Sequence, residues 1–185
     1  IAPISPPGYC DMTFDPTRGT VVAMRTDSVI PFETSMFELR DGAWRRIPNS
    51  SLNDMVLRRL YFDVRSQSLM VVGSGAFSSM GLSPTIYRFG GSGWVPLDDQ
   101  VGPEYSVNPM MAYDTDRQRM IFAGGSAIMA SVIDRSTWEL RGDTWRRRGD
   151  VPRFFSGDAG YPGFDAGATY DPVLRRIVGT SNIDQ

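Results

Sequence analysis

Apolar and polar positions follow one pattern that recurs four times along the chain. Each copy has an aromatic residue before an Asp, then a short polar stretch, then an apolar run. The aromatic–Asp pairs are Phe14-Asp15, Phe62-Asp63, Tyr113-Asp114 and Tyr170-Asp171. The Asp residues are 48, 51 and 57 positions apart. Because an Asp side chain can bond the backbone two residues further on, this pattern predicts two antiparallel strands joined by a turn.

A second pattern follows the first in three of the copies. Two aromatic residues stand seven positions apart, with turn-forming residues between them. The pairs are Phe37 and Trp44, Tyr87 and Trp94, and Trp138 and Trp145. Turn chemistry flanked by large apolar residues predicts a second hairpin, so each copy holds four short strands in about 50 residues.

Four-stranded repeats of this length are typical of β-propeller blades. The fold class is therefore predicted to be all-β, with three four-stranded blades and the first half of a fourth. The predicted boundaries are a Pro-rich linker at 1–8 and blades at about 9–56, 57–108, 109–165 and, in part, 166–185.

The repeat resembles the kelch-type β-propellers, including the galactose-oxidase-like group. In that family the second strand ends in Gly-Gly, and an aromatic residue and a Trp follow. The third copy fits best, with Gly124-Gly125, Trp138 and Trp145, whereas the first copy has Met24-Arg25 in place of the two glycines. Kelch rings usually close with six or seven blades. The resemblance thus implies that the chain is a fragment, or that self-association or remaining blades complete the ring.

Composition excludes several kinds of chemistry. The chain has a net charge of -2, one Cys and no His, and all of its basic residues are Arg. The lack of His and Lys excludes His-based triads, His-ligated metal sites and Lys Schiff bases within these residues. Tyr9-Cys10 resembles the Tyr–Cys crosslink of galactose oxidase, but that copper site also needs His. No cofactor and no metal site are predicted, since Asp158 and Asp165 lack calcium-loop spacing.

The predicted ligand-binding face lies on the long connections between strands. Strand parity places the turns joining strands 1–2 and 3–4 at one end of each blade. The longer 2–3 and 4–1 connections lie at the other end, and function tends to sit on long loops held by a rigid scaffold. The candidate binding residues there are Phe32, Phe77, Met80, Tyr105, Arg153, Phe154, Phe155 and Tyr161. The alternative is that these aromatic side chains fold back and cover blade edges.

These observations favour a non-catalytic module that recognises a protein or a glycan through the long connections. The alternative is a fragment of a secreted galactose-oxidase-like or glycan-processing enzyme whose catalytic residues lie in missing blades. The near-neutral charge predicts no nucleic-acid partner, and no apolar run is long enough to span a membrane. The absence of Lys is typical of GC-rich bacteria, where related proteins are often exported, so a secreted or cell-surface location is favoured.

Two further groups of charged residues have two interpretations each. Arg45-Arg46 and Arg146–Arg148 follow the Trp of the first and third copies, and this placement suits either contact with a sulfated or phosphorylated partner or protection of an exposed edge strand. We favour the second interpretation. Carboxylates such as Glu38 and Glu139 are scattered along the chain, and no catalytic pair can be assigned among them from the sequence.

Overall fold

A computed structural model of the chain describes residues 10–26, 33–53, 55–75, 85–97, 102–103, 110–124, 136–150 and 167–180. In these ranges the structure is all-β and contains no helix, and therefore no helix that could cross a membrane. The strands are β1 (Cys10–Asp15), β2 (Thr20–Thr26), β3 (Glu33–Arg40), β4 (Ala43–Arg46), β5 (Leu52–Asn53), β6 (Met55–Asp63), β7 (Ser68–Gly75), β8 (Thr85–Phe89), β9 (Trp94–Leu97), β10 (Met110–Asp114), β11 (Arg119–Ala123), β12 (Ser136–Arg141), β13 (Thr144–Asp150), β14 (Gly167–Asp171) and β15 (Arg176–Thr180).

The strands form consecutive antiparallel sheets, one for each copy of the repeat. Sheet 1 has the order β1-β2-β3-β4, sheet 2 β6-β7-β8-β9 and sheet 3 β10-β11-β12-β13, while sheet 4 contains β14 and β15. Apart from β5, which pairs with β3 in sheet 1, neighbouring strands in each sheet are also neighbours in sequence, as they are in propeller blades. The predicted fold class, three four-stranded blades and the first half of a fourth, is confirmed.

Each Asp of the repeat closes the turn between the first two strands. Asp15 Oδ1 accepts hydrogen bonds from the backbone N–H groups of Thr17 (2.9 Å) and Arg18 (3.2 Å). Asp171 Oδ1 accepts the equivalent bonds from Val173 and Leu174, at 2.8 and 2.9 Å. The carboxylate thereby satisfies donors that the turn leaves unpaired, which explains why Asp recurs at this position.

The cross-strand register gives each sheet two distinct faces. We call front face the one that carries both residues of the aromatic pair and the aromatic residue before Asp. In sheet 2 it comprises Leu60, Phe62, Leu69, Val71, Tyr87, Phe89 and Trp94. In sheet 1 the equivalent residues are Met12, Phe14, Val21, Ala23, Phe37, Leu39 and Trp44. In sheet 3 they are Met111, Tyr113, Met120, Phe122, Trp138, Leu140 and Trp145. The opposite side is the back face.

Sheets 1 and 2 belong to one compact unit and share its core. The back face of sheet 1 contributes Val22, Met24 and Met36, which pack in one cluster with the front face of sheet 2. Polar contacts join the same sheets. The Leu60 backbone N–H donates to Asp11 Oδ2 at 2.6 Å, and Trp94 Nε1 donates to the Ser50 carbonyl oxygen at 3.0 Å.

Sheets 3 and 4 belong to a second unit, in which β10 contacts β14. Arg175 Nε donates to Asp116 Oδ2 at 2.8 Å across these two sheets. On the front face of sheet 3, the rings of Phe122 and Trp145 meet edge to face at a centroid distance of 5.8 Å. Consecutive sheets in both units therefore contact each other through their first strands, as neighbouring propeller blades do.

One segment predicted as a connection is instead part of a sheet. The first of the long 4–1 connections, residues 47–56 between the first two blades, was expected to be a loop. In the structure β5 pairs with β3 beside β4, and Ile47 and Ser50 are buried. Ser50 Oγ accepts the Met36 backbone N–H at 2.9 Å and donates to the Ile47 carbonyl oxygen at 2.6 Å. These bonds secure the segment against the back face of sheet 1, while Pro48, Asn49 and Ser51 stay exposed.

Candidate functional site

The predicted ligand-binding residues lie outside the described residues. They are Phe32, Phe77, Met80, Tyr105, Arg153, Phe154, Phe155 and Tyr161. The Pro-rich segment 1–8 and the acidic residues Asp158 and Asp165 also lie outside these ranges. The described residues form the strands and tight turns from which the connections start, and we call these the scaffold. They also include the charged groups discussed below.

The scaffold places short turns and long connections at opposite ends of each sheet. In sheet 1 the two turns that join strands 1–2 and 3–4 span only Pro16–Gly19 and Asp41–Gly42. The connections between the second and third strands cover residues 27–32, 76–84 and 124–135 in the three copies. Because adjacent strands are antiparallel, these connections all leave from the end opposite the short turns. The candidate residues Phe32, Phe77 and Met80 belong to them in sequence.

The back face of sheet 3 carries a cluster of ion pairs centred on two buried carboxylates. Arg119 bridges them, with Nε 3.3 Å from Asp114 Oδ2 and Nη1 2.9 Å from Glu139 Oε2. Arg117 Nη1 lies 3.0 Å from Asp114 Oδ2, and Arg148 Nε lies 2.5 Å from Glu139 Oε2. Each buried carboxylate thus has two arginine partners.

The arginine partners decide the ionisation of both groups. Burial by itself raises the pKa of Asp114, but hydrogen bonds from the backbone and side chain of Arg117 and from Arg119 outweigh it and lower the pKa. Burial likewise acts to raise the pKa of Glu139, and Arg148 and Arg119 reverse that effect. Both groups are therefore carboxylates at neutral pH. A general acid needs the opposite shift, so this cluster has the properties of a structural ion-pair network.

Sheet 1 contains the equivalent cluster with weaker connections. Arg18 Nε lies 3.1 Å from Asp15 Oδ2, and Arg18 Nη1 lies 3.6 Å from Glu38 Oε2. Arg40 Nε lies 2.8 Å from Glu38 Oε1, whereas Glu38 Oε2 is buried without a hydrogen bond. Glu38 and Glu139 had no assigned role from the sequence alone. A signal was present, because each Glu directly follows the first aromatic residue of its pair, and in these two copies, the first and the third, Arg stands three positions after the turn Asp.

Asp11 is the one acidic residue among the described ranges whose pKa moves upward. Burial raises it, and the hydrogen bond from the Leu60 backbone N–H and the charge of Arg59 oppose that effect only in part. A raised carboxyl pKa can mark a catalytic acid. Here the carboxylate already accepts the N–H group that joins sheet 1 to sheet 2, so its position is explained by that contact.

The arginines of the fourth strands bond within their own sheets. Arg46 Nη2 donates to Ser35 Oγ at 2.8 Å and to Ser51 Oγ at 3.1 Å. Arg45 pairs with Asp41 at 3.4 Å, and Arg147 pairs with Asp150 at 2.5 Å. These contacts favour the interpretation that the charged side chains protect exposed edge strands.

The described residues contain no cluster of three or more Cys, Asp or Glu side chains that could hold a metal ion. Tyr9 of the Tyr–Cys pair lies outside these ranges, and Cys10 is described only as the first residue of β1. The expectation of no metal site therefore stays a prediction.

Comparison with known proteins adds little to this description. No protein-family model and no curated protein matches the chain. Among solved structures, the chain is similar to TolB from Acinetobacter baumannii, with 13% sequence identity and a TM-score of 0.46. The similarity covers 88% of this chain and 38% of that chain, so this chain spans less than half of its length. A similarity of this size assigns neither family nor function, and the fold class follows from the strand order and register given above.

Proposed function

We propose that the chain is a non-catalytic binding module built from kelch-like propeller blades, which recognises a protein or a glycan through its long 2–3 and 4–1 connections. The observation that carries the proposal is the division of each sheet into two ends. One end has tight turns held by Asp carboxylates, and the other sends out connections rich in aromatic residues. Aromatic side chains provide large contact area at low entropic cost, which suits recognition.

The charged groups of the scaffold support binding over catalysis. The buried carboxylates of sheet 3 have lowered pKa values and are already paired with arginines, so they have no proton to donate at neutral pH. Arg46, Arg147 and Arg148, the candidates for contact with an anionic ligand, bond to Ser, Asp and Glu of the same sheet. The charges of these side chains are thus satisfied within the scaffold, and we assign recognition to the connections.

The first experiment asks whether Phe154 and Phe155 belong to the site. The wild-type chain is screened on a printed glycan array and against a displayed peptide library, and the strongest binder becomes the probe. We expect the double variant F154A/F155A to lose about tenfold or more in affinity for that probe. Val95→Ala, at an exposed apolar residue of β9, serves as the matched control and keeps wild-type affinity.

Two results would contradict the proposal. Unchanged affinity of F154A/F155A, with the same unfolding transition as wild type, would remove these residues from the site. Stoichiometric copper or calcium in the purified protein, together with turnover of galactose or a glycan, would favour the enzyme alternative.

A further inference from the structure

The first-strand residues of the front face have opposite surroundings in sheets 1 and 2, although Ala23 on the second strand of sheet 1 is buried. In sheet 2, Leu60 and Phe62 are 5% and 6% exposed. Met12 and Phe14 occupy the same two positions in sheet 1 and are 54% and 57% exposed. Leu39 of the same face is also exposed. Contiguous apolar side chains of this size on a surface mark an interaction site.

The structure also shows what covers such a face when it is buried. In sheet 2 the cover is the back face of the preceding sheet, where Val22 is fully buried in the shared core. At the edge of that contact the Arg18 guanidinium lies 6.0 Å from the centre of the Phe89 ring. A front face is therefore complementary to the back face of another blade.

Sheet 4 exposes a back face of this kind. Counted from the turn Asp, Val178 is the equivalent of Val22 and Leu174 is the equivalent of Arg18. Val178 is 41% exposed and Leu174 is 52% exposed. Leu174 thus replaces Arg18 at the edge of the back face. On the front face of sheet 1 the change is similar, because Leu39 occupies the position that Phe89 occupies in sheet 2. Inside the unit the Arg18 guanidinium lies near the Phe89 ring. In a contact between sheet 4 and the front face of sheet 1, Leu174 and Leu39 would meet instead.

We propose that the front face of sheet 1 binds the back face of sheet 4 of a second copy of the chain. The contact is head-to-tail, since it joins two different surfaces of the same molecule. It repeats the packing of sheet 1 on sheet 2, with Val178 and Leu174 of one copy against Phe14 and Leu39 of the other. A symmetric contact of two front faces would place Phe14 against Phe14, for which the packing inside the unit offers no precedent.

The test uses one charged substitution on each surface of the 185-residue chain. Phe14→Asp blocks the front face of sheet 1, and Val178→Asp blocks the back face of sheet 4. Light scattering over a concentration series follows the mass of wild type, of each variant and of their equimolar mixture. Val95→Asp places the same charge at an exposed residue outside both surfaces and is the control.

The head-to-tail contact predicts a specific pattern. Wild type and Val95→Asp associate as concentration rises, while each of the other variants alone weakens association by roughly 30-fold or more. The mixture recovers association and stops at twice the 20.5 kDa of one chain, because only one intact front face and one intact back face remain. Circular dichroism confirms that each variant is folded, and Met12→Asp replaces Phe14→Asp if the latter is not.

Three results would overturn the proposal. One is a wild-type chain that stays monomeric at every concentration. Another is a loss of association in Phe14→Asp but not in Val178→Asp, with no recovery in the mixture, which is the pattern of a symmetric contact. The third is an equal loss in Val95→Asp, which would mean that added charge alone explains the effect.

Discussion

Sheets 1 and 3 share the strand order of their first four strands and match in register except for a bulge at Thr137–Trp138 in sheet 3, yet equivalent side chains have different surroundings in the two sheets. The Trp of the fourth strand is half-buried in sheet 1 and buried in sheet 3. The Glu that follows the first aromatic residue of the pair has one close arginine partner in sheet 1 and two in sheet 3. The last turn residue before the second strand, at positive φ in both sheets, is Gly in sheet 1 and Gln in sheet 3. The repeat thus fixes the backbone, while neighbouring groups set the energy of each side chain.

The largest difference is expected at the two tryptophans. Trp145 is buried and packs edge to face on Phe122, so Trp145→Ala should lower the free energy of unfolding by about 3–5 kcal/mol. Trp44→Ala removes a half-buried ring from an exposed face and should cost only about 1 kcal/mol. Urea unfolding followed by far-UV circular dichroism measures both. Equal costs would mean that the front faces of the two sheets are covered alike.

A second prediction concerns what covers Trp145. A Cβ atom on Gly102 would lie 2.9 Å from both Cδ1 and Nε1 of the indole ring. Gly102→Ala should therefore cost about 2 kcal/mol by overpacking. In the Trp145→Ala background the same change should cost little, because the obstructing ring is gone. A double-mutant cycle tests this coupling, and additive costs would show that Gly102 and Trp145 do not press on each other.

A smaller difference in stability is expected between Glu139 of sheet 3, which is buried, and Glu38 of sheet 1, which is half-buried. Glu139→Gln removes the charge that two arginines share and should cost about 1–2 kcal/mol at neutral pH. Glu38→Gln should cost less than about 1 kcal/mol, since one of its two arginines lies 3.6 Å away. Thermal or urea unfolding of both variants provides the comparison.

The contribution of Glu139 to stability should also depend on pH. The pKa of Glu139 is lowered in the folded protein, so its contribution to stability is present above its ordinary value of 4.5 and is lost as pH falls through the folded value. Glu139→Gln should then flatten the loss of stability below that pH. An unchanged acid profile would mean that the Arg119 and Arg148 contacts do not hold the charge in solution.

The smallest effect is expected in the turns. Gln118 adopts φ of +51° in sheet 3, whereas Gly19 stands at the equivalent place in sheet 1 with φ of +64°. Replacing Gln118 with Gly relieves the side-chain clash at positive φ but adds freedom to the unfolded chain, for a net gain of about 0.5 kcal/mol. Gly19→Gln should cost a similar amount. Urea unfolding midpoints of Gln118→Gly and Gly19→Gln measure the two effects. A shift of both midpoints in the same direction would contradict the expectation that Gly is the better residue at this positive φ.

The sequence was sufficient to predict the hairpins, because their signals are local. Asp15 and its equivalents start turns within three residues, and each aromatic pair spans a single tight turn. The Asp–Arg–Glu clusters were missed since Asp114 and Glu139 are 25 positions apart and meet only when β10, β11 and β12 are in register. β5 was missed because the two-residue strand Leu52–Asn53 leaves no periodic pattern.

The exposure of Met12 and Phe14 on the front face of sheet 1 cannot be predicted from the residues around them in sequence. Phe14 and Phe62 stand in nearly the same sequence context, and only the presence of a covering sheet distinguishes them. The predicted ligand-binding residues are a separate case, since they lie outside the described residues and stay a prediction.

Two methionines at the same position of the repeat provide the most direct test that the front face of sheet 1 is exposed in a single copy and covered on association. Met12 is exposed in sheet 1, and Met111 is buried in sheet 3. Brief oxidation with dilute peroxide, read by peptide mass spectrometry across a protein concentration series, reports the accessibility of both sulfur atoms. We expect Met12 to oxidise quickly at low concentration and to become protected as copies associate, while Met111 stays protected throughout. Equal protection of Met12 and Met111 at the lowest concentration would contradict the account, because the front face of sheet 1 would then be covered within a single copy.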